Sequence, residues 1–252
     1  MQLEEIIRRL AENKIPSPRL EARMILDSGK GAKEIIEKRI NGWPLDKLLG
    51  QREFYKYSFF TDENVLSPRP DTEVLVEKAI SLIQKKSVIL DLGTGSGCIL
   101  LSILKEYPDI KGIGIDKSIE ALAIAEKNAK TLNIQNVKFQ CKDWFTDKLE
   151  GQFDIIVSNP PYIPSEDIKT LDREVREHDP LLALDGGIDG LESYRKIAEI
   201  ASHLLKPNGY LLLEIGINQT KEVSEIFTKN NFTHAETLKD LAGIDRCLLF
   251  RN

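Results

Sequence analysis

The residues best placed to do chemistry in this 252-residue chain fall in two short stretches. The first is Asp91-Leu92-Gly93-Thr94-Gly95-Ser96-Gly97, directly after the apolar run Val88-Ile89-Leu90. Glycines that close a strand let the backbone approach a ligand and aim the N-terminus of the next helix at it. The spacing departs from a dinucleotide fingerprint, because the sixth position is Cys98 and the third glycine falls one place early, at Gly97. Asp116 stands 19 residues beyond Gly97, at the end of the next apolar run. A carboxylate there can take both hydroxyls of a ribose in charge-assisted hydrogen bonds. A grip on a nucleoside without a phosphate site suits S-adenosylmethionine, with S-adenosylhomocysteine as its product. Asp143-Trp144, past a third run, could hold the adenine amino group and wall the ring, or simply pack. The bland alternative for the whole stretch is an ordinary turn followed by a helix-capping Asp.

The second stretch is Ser158-Asn159-Pro160-Pro161-Tyr162, which closes the run Phe153-Asp154-Ile155-Ile156-Val157. Two consecutive prolines remove two backbone donors and stiffen the turn, leaving carbonyl oxygens to accept from a substrate. The Asn159 oxygen and the Pro160 carbonyl can accept both hydrogens of a planar NH2 group, and Tyr162 can pack against it. Such a nitrogen has a delocalised lone pair, so catalysis must come from alignment and from stabilising the charge that develops on it. No strong general base stands beside the motif in sequence.

Both stretches need a frame. Strand runs alternate with helical patterns: Val88–Leu90, a helix from Cys98 to Glu106, Gly112–Ile115, a helix capped by Ser118, Val137–Cys141, Phe153–Val157. Continuous apolar strands separated by helices predict an α/β protein with a parallel sheet covered on both faces. In such sheets ligands bind beyond the carboxyl ends of the strands, where both stretches fall. A helix over Leu191–Leu205, a strand over Tyr210–Ile215, a helix near 218–229 and two short strands, near 232–238 and 246–251, close the chain. Residues 163–190 carry few periodic apolar positions and read as a long loop over the site.

Ahead of this core, Leu3, Ile6, Ile7 and Leu10 mark an amphipathic helix. Ser17-Pro18 offers an N-cap and a first-turn proline for a second helix ended by Gly29, and a third runs from about Lys33 to Ile40. Aromatics from Phe54 to Phe60 predict a strand or hairpin, and Ser67–Asp71 a loop leading into a helix. The expected organisation is a small helical module over 1–52, a linker and hairpin over 53–73, and the main domain over 74–252.

Composition narrows the class. The chain is 41% hydrophobic and 30% charged, enough to support a packed interior. Its 35 Lys and Arg against 40 Asp and Glu argue against a general phosphate-coating role, and no direct nucleic-acid contact is expected. Cys98, Cys141 and Cys247 make no disulfide framework or zinc pattern, so no metal is expected. Cys98 at a helix start reads as a small buried residue, and His178 and His203 have no partner spacing for a triad. With no apolar run of membrane-spanning length and charges in place of a signal-peptide core, the protein is expected to be cytoplasmic.

At these residues the sequence resembles Rossmann-like, seven-stranded S-adenosylmethionine-dependent methyltransferases, and the Asn-Pro-Pro-Tyr tetrapeptide resembles that of enzymes methylating planar nitrogens. Leu48–Phe54, Pro68–Glu73, Asp179–Leu184 and Gly187–Leu191 narrow the resemblance to the HemK/PrmC family, the peptide-chain release factor glutamine methyltransferases. The resemblance implies methylation of the glutamine side-chain amide in the Gly-Gly-Gln loop of a release factor, docked with help from the N-terminal module. It places Gly93 to Gly97, Asp116, Trp144 and Asn159 around the cofactor, and Asn159 to Tyr162 on the glutamine amide. Arg69 and Glu73 lie in a family segment whose spacing assigns them no role. The chain departs from the family in a short segment between Gly29 and Ile40, and in Asp46-Lys47 where an aromatic is common. Two other functions remain open: a nucleic-acid amino methyltransferase sharing the tetrapeptide, and a non-catalytic ribosome-associated binding protein.

Overall fold

A computed structural model describes all 252 residues. Four helices come first: α1 (Leu3–Glu12), α2 (Pro18–Asp27), α3 (Ala32–Ile40) and the single-turn α4 (Leu45–Leu49). Ile6, Leu10, Ala22, Ile25, Ile36 and Leu49 pack into a core of their own. Each large side chain buried there contributes about 1.5–3 kcal/mol. Gly29 ends α2 at φ +65°, a backbone setting that suits glycine. Ser17 differs from the expected cap: its hydroxyl makes no capping bond, and only its carbonyl engages the helix, accepting from the Glu21 amide.

The aromatic segment forms a two-stranded hairpin, β1 (Gln51–Phe54) with β2 (Tyr57–Phe60). Its turn holds Tyr55 at φ +58°, and the Glu73 carboxylate accepts from the Tyr55 amide at 2.9 Å. Glu73 therefore stabilises a strained turn. It is also the first residue of α5 (Glu73–Leu82), which follows a short 3-10 turn over Pro70–Thr72.

The main sheet has seven strands: β3 (Val88–Leu92), β4 (Lys111–Asp116), β5 (Val137–Cys141), β6 (Phe153–Ser158), β7 (Leu205–Glu214), β8 (Thr233–Lys239) and β9 (Asp245–Arg251). Their order across the sheet is β5-β4-β3-β6-β7-β9-β8. The first five in that order are parallel, and β9 and β8 add an antiparallel edge. Helices α6 (Cys98–Glu106) and α7 (Ile119–Thr131) join α5 on one face, while α9 (Glu192–Leu204) and α10 (Thr220–Lys229) cover the other. Ser118 caps α7 as expected, accepting from the Ala121 amide at 3.0 Å. After β3 the chain winds outward to β4 and β5, then returns so that β6 lies against the other side of β3. This reversal opens a crevice beyond the ends of β3 and β6. Leu92 pairs with Ser158, so the turns that follow the two strands leave the sheet side by side.

Two expected boundaries shift. Lys206-Pro207-Asn208-Gly209 lies inside β7, as an irregularity between the Phe153–Leu205 and Ile155–Tyr210 pairings, with Asn208 at φ +64°. The loop over 163–190 is also more ordered than its sequence suggests. It carries the helix α8 (Arg173–His178), two short 3-10 turns and a bridge between Ile163 and Asp185. This strap packs on the N-terminal module: the Trp43 and His178 rings lie 4.2 Å apart, and Arg39 bonds Glu174 at 2.5 Å and Glu21 at 2.7 Å. No helix is long and apolar enough to cross a membrane.

Candidate active site

A cavity of about 350 Å³ opens beyond the ends of β3, β4 and β6. Gly93, Thr94, Gly95 and Ser96 line one side, with Asp116, Asp143 and Trp144 next to them. Asn159 and Pro161 form the opposite wall, and Pro180, Leu182 and Ala183 of the strap cover it. The remaining sequence-derived candidates, Asp91, Gly97, Pro160 and Tyr162, stand behind this surface.

The glycine turn is tightly determined. Gly93, Gly95 and Gly97 all have positive φ, between +52° and +80°, where a Cβ is strained. A Cβ on Gly93 would stand 3.0 Å from the Trp144 ring, whereas one on Gly95 would meet open space. Beneath the turn, Asp91 is fully buried and accepts from the Thr94 hydroxyl at 2.7 Å, while its other oxygen has no partner. Burial pushes its carboxyl up to about 7, against the Thr94 hydrogen bond. The Trp144 indole nitrogen is likewise buried without an acceptor. Asp116 accepts from the Gly95 amide at 2.8 Å and from the Ser118 amide at 2.9 Å. A carboxylate offers about four lone-pair positions, so two stay available to a ligand. Asp143 accepts from the Phe145 amide and pairs with Lys117 at 2.8 Å, and that ammonium holds its carboxyl below the usual range.

On the opposite wall, Ser158 ties the end of β6 to the carbonyl of Leu92 at 2.6 Å. No group of the chain donates to the carbonyls of Pro160 and Pro161. The Tyr162 ring packs against the core shared with α9 and α10 instead of lining the cavity, and its hydroxyl reaches Glu214 at 3.5 Å. Gln219 fixes the end of the turn, donating to the Tyr162 carbonyl at 3.0 Å while accepting from Gly216.

A family model described as a methyltransferase domain matches residues 83–245. A protein of Agrobacterium fabrum called release factor glutamine methyltransferase is 45% identical over 225 residues, covering 86% of this chain and 77% of its own. One of the same name from Caulobacter vibrioides is 39% identical, covering 96% and 92%. The chain belongs to the release factor glutamine methyltransferase family. Among solved structures, a methyltransferase from Pyrococcus furiosus is similar in fold, with a TM-score of 0.56, 18% identity, and 77% of this chain and 87% of that one covered. The ribosomal protein L11 methylase of Lactobacillus delbrueckii gives 0.53 at 20% identity, covering 75% and 81%.

In this member of the family, the structure adds groups to the site that sequence reasoning missed. Glu214 ends β7, next to β6, and is fully buried behind the Asn159 turn. Thr72, brought in by the 3-10 turn before α5, donates to Glu214 at 2.5 Å and accepts from the Asn159 amide at 3.4 Å. The signal was present as a lone acid closing the apolar run Leu211-Leu212-Leu213, but its partners lie far away in sequence. Arg69 also finds a partner, donating to Asp179 of the strap at 2.9 Å. Lys47 bonds the other oxygen of the same carboxylate at 2.5 Å.

Proposed function

We propose that the chain transfers the methyl group of S-adenosylmethionine to the side-chain amide nitrogen of the glutamine in the Gly-Gly-Gln motif of a peptide-chain release factor. The observation that carries this reading is that the glycine turn and, from the Asn159-Pro160-Pro161-Tyr162 turn, Asn159 and Pro161 line one cavity, on strands paired at Leu92 and Ser158. Membership in the release factor glutamine methyltransferases supplies the substrate.

The residues present fit the cofactor. Open space beside Gly95 admits a ligand against the backbone, Trp144 lines the same cavity, and the Trp144 nitrogen and the Asp91 oxygen beneath the turn are buried without partners. Asp116 would take the ribose hydroxyls with its free lone pairs, each bond contributing about 1.5–3 kcal/mol. Asp143 and Trp144 would hold and wall the adenine, and Gly93 to Gly97 would receive the amino-acid end. When bound, S-adenosylmethionine supplies a methyl group activated by its positively charged sulfur.

The chain's part is to present the nitrogen. The Asn159 oxygen and a proline carbonyl of the same turn, where Pro161 is the proline that lines the cavity, accept the two amide hydrogens, fixing the plane of the group and turning one face toward the donor. Alignment of this kind is worth up to ~7–11 kcal/mol in favourable cases. As the nitrogen gains positive charge, the same two acceptors strengthen, so they stabilise the transition state more than the ground state. One of the two amide protons leaves to solvent with or after methyl transfer, giving the neutral N-methyl amide. Strap residues Pro180 and Leu182 add apolar surface to the cavity wall.

The test is transfer of labelled methyl to a purified release factor, run beside its Gly-Gly-Gln glutamine-to-alanine variant, duplex DNA and bulk RNA. Label confined to the unsubstituted release factor is the expected result. Label on nucleic acid overturns the substrate and keeps the planar-nitrogen chemistry, and no transfer to any acceptor favours a binding role.

A further inference from the structure

We propose that Thr72 and Glu214 are positioning residues that fix which end of the Asn159 amide faces the cavity, through a one-way chain of hydrogen bonds. The proposal rests on the reading of Asn159 as the acceptor of a substrate NH2 group. An asparagine can serve that role only if its oxygen, not its nitrogen, is presented, and the two ends differ little in shape. Something behind the side chain must tell them apart.

The chain of bonds does so by the direction of its protons. An ionised carboxylate only accepts. The Thr72 hydroxyl lies 2.5 Å from Glu214 Oε2 and must spend its single proton on it. What Thr72 offers to its other neighbour is then a lone pair. Asn159 meets that lone pair with Nδ2, at 3.4 Å. Its Oδ1 is thereby assigned to the side away from Thr72; both residues line the cavity, and that oxygen is the acceptor left to a substrate there. The alternative amide orientation would set an oxygen against an oxygen with no proton between them, which is costly away from water.

The surroundings of Glu214 keep this chain intact. Thr72 and Asp71 face it from the 3-10 turn, Tyr162 from the turn after β6, Tyr194 from α9, Arg246 and Cys247 from β9, and Cys98 from α6. The Tyr162 hydroxyl donates to Oε1 at 3.5 Å, and the Tyr194 hydroxyl donates to the Glu214 backbone carbonyl at 2.9 Å, fixing the residue in place. Burial pushes the Glu214 carboxyl up to about 7, while the Thr72 hydrogen bond, Arg246 and a hydrogen bond from the Asn159 amide oppose the rise; that last contact sets the same amide orientation. A protonated Glu214 can donate to Thr72. The hydroxyl is then free to donate to Asn159, and either amide orientation is satisfied. The constraint is present above the carboxyl's pKa and is lost as pH falls through it.

Steady-state methylation of the release factor, measured from pH 5.5 to 9, tests the proposal. In the unmodified enzyme kcat should fall on the acid side of about pH 7. Glu214→Gln, which can donate as well as accept, should lower kcat about 10- to 100-fold and flatten that limb. The Kd for S-adenosylmethionine should change much less than kcat, because Asp116 and the glycine turn keep all their contacts. Thr72→Val should match Glu214→Gln, and Thr72→Ser should restore most of the loss. A Thr72→Val enzyme with unaltered kcat and pH profile overturns the proposal. A substrate-free readout separates its failure from that of the functional reading. The side-chain NH2 signals of Asn159, identified in 1H-15N spectra by their loss in Asn159→Asp, should titrate near pH 7 and stop titrating in Glu214→Gln. Signals that ignore pH overturn the proposal even in an active enzyme, and titrating signals support it even if the methyl acceptor is a different planar amine.

Discussion

The ammonium of Lys47 stands 2.5 Å from a carboxylate oxygen of Asp179, with 1% and 2% of the two side chains exposed. Lys47 also donates to the His178 carbonyl at 2.5 Å, and Arg69 takes the second Asp179 oxygen at 2.9 Å. One carboxylate thus ties together α4 of the N-terminal module, the segment before α5, and the strap over the cavity. An uncompensated buried charge is the costly outcome of breaking such a group. Asp179→Ala is expected to destabilise the protein by about 3–5 kcal/mol in urea unfolding and to open residues 163–190 to proteolysis. Lys47→Met combined with Asp179→Leu should cost less than Asp179→Ala alone, since Arg69 is 42% exposed and can turn to water. Equal costs would show that the ion pair does not hold the strap.

Asn159→Ala removes an acceptor directed at the reacting nitrogen and leaves the glycine turn untouched. Turnover is expected to fall by about 10²–10³-fold, in the range seen when a single preorganised hydrogen-bonding group is deleted from an active site. Calorimetric affinity for S-adenosylmethionine should stay within a few-fold. Normal turnover would end the case for an acceptor platform.

Asp116→Ala should do the reverse. It deletes the proposed ribose grip and also the acceptor of the Gly95 and Ser118 amides, so cofactor affinity should weaken by about 10- to 100-fold or more. An unchanged Kd would remove Asp116 from the nucleoside site.

Stability should depend on pH through Glu214 in a direction opposite to the usual carboxylate. Its folded pKa, about 7, lies above its unfolded value. Between those two values the folded state holds a proton that the unfolded chain has released, so stability falls as pH rises through this window. Glu214→Gln carries no such dependence. The difference in Tm between the variant and its parent should therefore move in favour of the variant from pH 5 to pH 8. A difference that is flat in pH would place the Glu214 pKa near that of an ordinary carboxylate.

Much of the framework was legible because its signals are local. A glycine turn, a proline-stiffened turn and continuous apolar strands each declare themselves within a few residues. α8 was not legible, because Arg173-Glu-Val-Arg-Glu-His has almost no apolar face. It is a helix held by Trp43, Arg39 and Lys47 from the other end of the chain. The hydroxyl of Ser17 illustrates the opposite error, a correct residue type at a helix start that makes no capping bond.

The sequence by itself determined the α/β class and the strand-and-turn identity of the two constellations, because backbone stiffness and side-chain period are properties of neighbouring residues. It also carried the family resemblance. Tertiary structure decided what surrounds them. Only the reversal of strand order brings β6 beside β3, and with it Asn159 beside the glycine turn. The same packing sets Glu214 against Thr72 across 142 positions and Lys47 against Asp179 across 132. A buried proton or ion pair is defined by whatever shares its low-dielectric surroundings, and that company is chosen by the fold and not by the adjacent residues.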